Sequence, residues 1–123
     1  VSLVARHLEA NGIPTVIVGC ARDIVEQAGV ARFLFVDFPL GNPTGKPGDV
    51  SQQRHIVAQG LDLLERAWAP RTTVQSDVQW GDDSWRTNYM RVDESNRAEL
   101  AAAGAARRAS QQAARTDGRA RTS

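Results

Sequence analysis

Apolar residues in the first half of the chain switch between helix spacing and short unbroken runs. Leu3, Val4 and Leu8 share one face of a helical pattern over 2–10, which Asn11-Gly12 ends. Ile13 to Val18 is a β-branched run and reads as a buried strand, with Pro14 at its start where a missing N–H is tolerated. Gly19 and Cys20 end it. Ala21 to Ala28 reads as a short helix with Ile24, Val25 and Ala28 on one face and Gly29 as its stop. Arg32 to Val36 is a second buried strand. Asp49 or Ser51 then caps a helix from about Gln52 to Trp68. Its apolar set, Val57, Leu61, Leu64 and Trp68, has the spacing of a helix laid on a sheet, and Pro70 stops it.

This order predicts an α/β fold, with parallel strands joined by right-handed crossovers. Two parallel strands are too few for a stable sheet, since such strands need neighbours and cover on both faces. Further strands are therefore expected from sequence outside these residues or from partner chains. Thr72 to Gln75 is a candidate edge strand. Beyond it the pattern fades. Trp80, Trp85 and Tyr89 stand among Asp, Ser and Asn, as aromatic anchors of an irregular arm on another surface or on this domain's own helices. Ala98 to Ala114 is Ala-rich with weak amphipathicity, either a helix riding on a partner or disordered. The expected organisation is an α/β half-domain over 1–70, an irregular aromatic arm over 71–96 and an Ala/Arg-rich tail over 97–123.

Between the second strand and the long helix lies a Pro/Gly-rich loop, Asp37-Phe38-Pro39-Leu40-Gly41-Asn42-Pro43-Thr44-Gly45-Lys46-Pro47-Gly48-Asp49. Loops at strand ends are where open α/β folds place ligands. This one holds the only lysine of the chain, Lys46. Gly41 to Lys46 is not a P-loop. Three residues separate its glycines where four are needed, Pro47 replaces the Ser or Thr, and the helix starts later. Asn42, Thr44, Lys46 and the backbone N–H groups would instead orient a small anionic substrate. The alternative is a rigid connector held by its three prolines.

Two further candidates lie at the same sheet edge. Cys20 stands where a strand hands over to a helix, with Arg22 close by, a setting that favours a thiolate. Most lone cysteines are small buried hydrophobes, and that reading stands beside it. Asp37 ends the second strand, at a position suited to a catalytic carboxylate or to capping the loop backbone. His7 and His55 are far apart, and no spacing of a metal site is present, so no metal is expected. No Gly-x-Gly-x-x-Gly follows a strand, so hydride transfer from a nicotinamide is not suggested, and no cofactor is expected within the chain.

Composition narrows the classes. With 123 residues the chain is one domain by length. A net charge of +1 makes nucleic acid an unexpected partner and predicts no pull toward an anionic membrane. The tail is more basic, with Arg97, Arg107, Arg108, Arg115, Arg119 and Arg121 against Glu99 and Asp117. A single cysteine excludes an internal disulfide and suits a cytoplasmic setting. No run approaches the roughly 18 apolar residues of a membrane span, and no signal peptide is visible. The chain opens inside a helical pattern, so a strand and loop are expected to precede it.

Leu8-Glu9-x-x-Gly12-Ile13-Pro14-Thr15-Val16, followed by Phe35-x-x-Phe38-Pro39-Leu40-Gly41-Asn42-Pro43, resembles the C-terminal part of the glycine/sarcosine/betaine/D-proline reductase component B family, that is, selenoprotein B-like proteins. The resemblance covers roughly 1–66. It implies a partial flavodoxin-like or Rossmann-like domain working with partner subunits. It also implies a thiolate or selenolate nucleophile, upstream of Val1, that attacks a substrate α-carbon and displaces the amine. Cys20 is not at the matching position. The Lys46-Pro47-Gly48 portion departs from the shorter loop of the reductases. The expected function is a reductase-family domain whose loop contacts a small amine or carboxylate through Asn42, Thr44 and Lys46. The alternative is a non-catalytic subunit of a multi-chain assembly.

Overall fold

A computed structural model describes residues 1–88 and 91–116. Tyr89 and the tail beyond Thr116 lie outside the described residues, so the expectations for them find no test here. The chain divides into two compact units, 1–89 and 90–123. The first holds α1 (Ser2–Ala10), β1 (Ile17–Gly19), α2 (Arg22–Ala28), β2 (Arg32–Phe35), α3 (Val50–Arg66), β3 (Thr72–Gln75) and α4 (Ser84–Asn88). The second holds α5 (Arg97–Thr116), an Ala-rich helix none of whose residues is buried.

The sheet is open, three-stranded and wholly parallel, in the order β1-β2-β3. This is a partial Rossmann-like or flavodoxin-like arrangement. The candidate edge strand Thr72 to Gln75 forms, and its full length pairs with β2, from Arg32↔Thr72 to Phe35↔Gln75. Alternation splits the core in two. Ile17 and Phe33 face one side, where Ala5 of α1 and Val25 of α2 cover them. Leu34 and Val36 face the other, with Phe38, Ile56 and Leu63, and Val18 and Val74 pack alongside. Phe33, Leu34 and Val36 are sealed from solvent, as expected of strands buried on both faces, and so is Ile56 of α3.

The strands advance in one direction while α2 and α3 lie on opposite faces. The two crossovers therefore have opposite hands, and the expectation that both are right-handed is corrected for one of them. The long 37–49 loop gives the chain the reach to change faces.

Helix α3 starts where Asp49 accepts a bond from the Gln52 N–H at 3.0 Å. The face it lays on the sheet is not the one expected. Ile56, Gly60 and Leu63 are buried, whereas Val57 is 49% exposed, Leu61 57% and Trp68, past the helix end, 80%. A hydrophobic count passes over Gly60, which lies buried against β1. A Cβ there would sit 3.5 Å from Val18 Cγ2. Helices α1 and α2 repeat the pattern: Ala5 and Val25 turn inward, and Leu3, Val4 and Ile24 stay exposed.

Candidate functional site

The carboxyl ends of β2 and β3 open into a cleft of about 500 Å³. In a parallel α/β sheet this is the edge at which ligands bind, because the chain leaves the strands there in loops free to diverge. Asp37 follows β2. Ser76 and Asp77 follow β3, and the segment up to Arg86 forms the rest of the wall.

Charges in the cleft are paired rather than scattered. Arg86 on α4 donates to Asp37 at 2.5 Å and to Asp83 at 2.8 Å, which ties the wall segment back to the end of β2. Both carboxylates raise the Arg86 guanidinium above its ordinary pKa, Asp37 first. Asp82 is held below the usual carboxylate range, chiefly by bonds from Ser84, with Lys46 adding to the effect.

Lys46 reaches this wall from the Pro/Gly loop. Its Nζ lies 5.2 Å from the Trp80 ring centroid, and a Cβ on Gly81 would come within 3.3 Å of it. Trp80 in turn stands edge-on to Phe38 at 5.1 Å between centroids. The Lys46 backbone is pinned to α3: its N–H donates to Gln52 Oε1 at 2.9 Å, and its carbonyl accepts from Gln53 Nε2 at 2.8 Å. Gly45 makes this possible. It is buried at φ +108°, and any side chain there would press on Gln52 and Gln53. The irregular arm is thus anchored on its own domain through Trp80, and Arg86 stacks over Trp85 at 4.5 Å.

The sequence candidates separate into three groups. Asp37 lines the cleft. Lys46 stands at its rim. Asn42 and Thr44 stay within the loop turn, where the Asn42 carbonyl accepts from the Gly45 N–H at 3.2 Å, and neither lines the cleft. Cys20 lies beside Asp37 and Phe38, half-buried. Burial pushes its thiol up, the Asp37 carboxylate adds to the rise, and the Phe38 backbone N–H only partly offsets both. Burial and the Asp37 carboxylate thus act against the thiolate setting expected from the start of α2. Arg22 is engaged elsewhere, with Glu26 at 3.1 Å and over the Phe35 ring.

The sequence gives no hint of two features. One is Arg86, distant in the chain from Asp37. The other is a polar cluster on the β3 side of α3. Asp77 accepts from Gln59 at 2.7 Å and meets His55 Nε2 at 2.9 Å, and Ser76 donates to Gln59 at 2.5 Å. Among the described residues no group of three or more His, Cys, Asp or Glu side chains is placed to hold a metal ion, and no helix is long and apolar enough to cross a membrane.

Comparison with known proteins adds one relationship. The chain is a distant homologue of D-proline reductase subunit gamma of Acetoanaerobium sticklandii, 32% identical over 62 residues. The match takes in 50% of this chain but 26% of that protein, so the chain spans about a quarter of its relative's length. No family profile and no solved structure matches.

Proposed function

We propose that the chain is a component of a reductase complex of the glycine/D-proline reductase kind, and that it forms one wall of a small-substrate site. The observation that carries this reading is the strand-end cleft itself, where Asp37, Asp77 and Asp82 stand close to the two cations Arg86 and Lys46. An amino acid carries both signs of charge, and such a wall offers a partner for each. The relationship to a D-proline reductase subunit agrees with a substrate of this class.

In this reading Lys46, at the rim, holds the substrate carboxylate, and Asn42 and Thr44 shape the loop turn behind it. The carboxylates of the wall face the amine. The thiolate or selenolate nucleophile comes from outside this chain. Cys20 is a poor substitute, because a raised thiol pKa leaves little thiolate at neutral pH.

A second reading, a non-catalytic subunit that ties a catalytic partner in place, is favoured by the exposed apolar side chains Val57 and Leu61 of α3. Kinetics of the assembly purified through a tag on this chain separate the two. With D-proline and with glycine as substrates, Lys46→Met should raise KM about tenfold or more, the loss of one charge-assisted contact, with a smaller change in kcat. Unchanged KM and kcat would remove the substrate role of Lys46 and leave the assembly reading.

A further inference from the structure

Among the described residues four carboxylates line the strand-end cleft, Asp37, Asp77, Asp82 and Asp83, and they are not equally free to take a cation. Asp37 and Asp83 bond the Arg86 guanidinium at 2.5 and 2.8 Å, so an amine approaching either one meets a fixed positive charge. Asp82 accepts from Ser84 and feels the charge of Lys46. Asp77 differs. Among the described residues it meets no Lys or Arg at ion-pair distance; its partners are the His55 ring at 2.9 Å and the Gln59 amide at 2.7 Å. An amide is neutral, and an imidazole can be neutral at pH 7 where a guanidinium cannot. The negative charge of Asp77 is therefore the least compensated of the four.

The same bonds set its direction. A carboxylate only accepts, so Nε2 of His55 and Nε2 of Gln59 both donate, and both donate to Oδ1. Oδ2 takes neither bond. The side chain is 71% exposed on the cleft wall, so a small ligand reaches the carboxylate. Behind it, the Gln59 amide is held in one sense. Its oxygen accepts from the Ser76 hydroxyl at 2.5 Å, which leaves its nitrogen for Asp77. Ser76 is buried, and its N–H donates to the Phe35 carbonyl at 2.8 Å, which fixes it to the end of β2. A line of bonds thus runs from the buried sheet end through Gln59 to the cleft, and such support holds a binding group in one orientation.

We propose that Asp77 takes the positive charge of the substrate amine, and that Gln59, fixed by Ser76, positions it. The proposal rests on the reading of the cleft as a small-substrate site and selects one of its carboxylates. Lys46 then takes the carboxylate of the ligand and Asp77 its amine, so the two ends can be tested apart. The Asp77 carboxyl, held below its ordinary value first by the His55 bond, is ionised at neutral pH.

The test uses the assembly purified through a tag on this chain and two half-ligands. Pyrrolidine carries the amine alone, and tetrahydrofuran-2-carboxylate carries the carboxylate alone. Their affinities are read by ligand-observed NMR titration. Asp77→Asn should weaken pyrrolidine about tenfold or more, the loss of one charge-assisted contact, and should not weaken tetrahydrofuran-2-carboxylate. Gln59→Met keeps the bulk and removes the bond. It should weaken pyrrolidine roughly threefold or more and spare the carboxylate ligand, which general damage to the wall would not do. Pyrrolidine that fails to bind, or that binds the Asp77→Asn assembly as before, would overturn the proposal. So would an equal loss of both half-ligands in Asp77→Asn. An effect of Asp77→Asn with none of Gln59→Met would overturn the positioning role. Lys46→Met should weaken only tetrahydrofuran-2-carboxylate. If it weakens neither half-ligand while Asp77→Asn acts as expected, the Lys46 assignment fails and that of Asp77 stands.

Discussion

Helix α3 turns a polar flank toward β3 and an apolar flank past β1. On the β3 side this chain's own polar side chains are tied together: His55 and Gln59 bond Asp77, and Gln59 bonds Ser76, beside a cleft lined by Leu63, Trp68 and Val74. Past β1, Val57 and Leu61 meet solvent although their spacing is that of a packed face. The difference teaches that hydrophobic spacing alone does not say which face of a helix its own domain buries. The tied side also frames the strand-end cleft, since Asp77 belongs both to the α3 cluster and to the cleft wall.

The largest test sets the buried line of α3 against its open flank. Ile56→Ala should cost about 2–5 kcal/mol in chemical denaturation, as truncation of sealed core side chains does. Leu61→Ala in the chain alone should stay within about 0.5 kcal/mol. Equal costs would mean that this chain covers its own flank. Next comes the cleft wall. Trp80→Ala removes the edge-on contact with Phe38 and the surface under Lys46, and should cost about 1.5–3 kcal/mol by the same measurement.

Acid should loosen the tied side and the α1 face together. The Asp77 carboxyl is held below its ordinary value, first by the His55 bond and, against a small desolvation, by Gln59. A carboxylate lowered in the folded state adds stability that is present above its unfolded value, near pH 4, and is lost as pH falls through the folded value. Burial of Glu9 acts to raise its pKa, but bonds from Thr15 and Arg32 prevail and lower it, so it adds to the same slope. Asp77→Asn with Glu9→Gln should flatten the acid limb of a stability–pH curve; an unchanged limb would show that neither tie matters. The smallest expected signal is at Cys20. Its raised thiol pKa predicts alkylation at pH 7 slower than that of a free cysteine, speeding up on unfolding, and fast alkylation of the folded chain would contradict its half-buried placement.

Much of the architecture was legible because strands buried on both faces leave unbroken apolar runs. Phe33 to Val36 and the pattern around α2 and α3 place the elements to within a few residues. What the pattern missed were small residues. Ala5 and Gly60 lie on the inward faces of α1 and α3, Gly60 beside Ile56 and Leu63, and neither weighs in a hydrophobic count, so the buried stripe was read about one position off. Of the site, Asp37 and Lys46 were legible from their place at a strand end. Arg86 was not, because its tie to Asp37 spans 49 residues and leaves no local signature. Nor was the Cys20 shift, since it depends first on burial of the thiol and then on the Asp37 carboxylate beside it in space.

The sheet is asymmetric: side-chain ties stand past β3, and the edge of β1 is bare among the described residues. Amide hydrogen exchange of the chain alone tests this most directly. Val36, bonded to the Gly19 carbonyl beneath α3, should exchange slowly, while Val18 should exchange at close to the rate of an unprotected amide. Equal protection at the two would contradict the open edge.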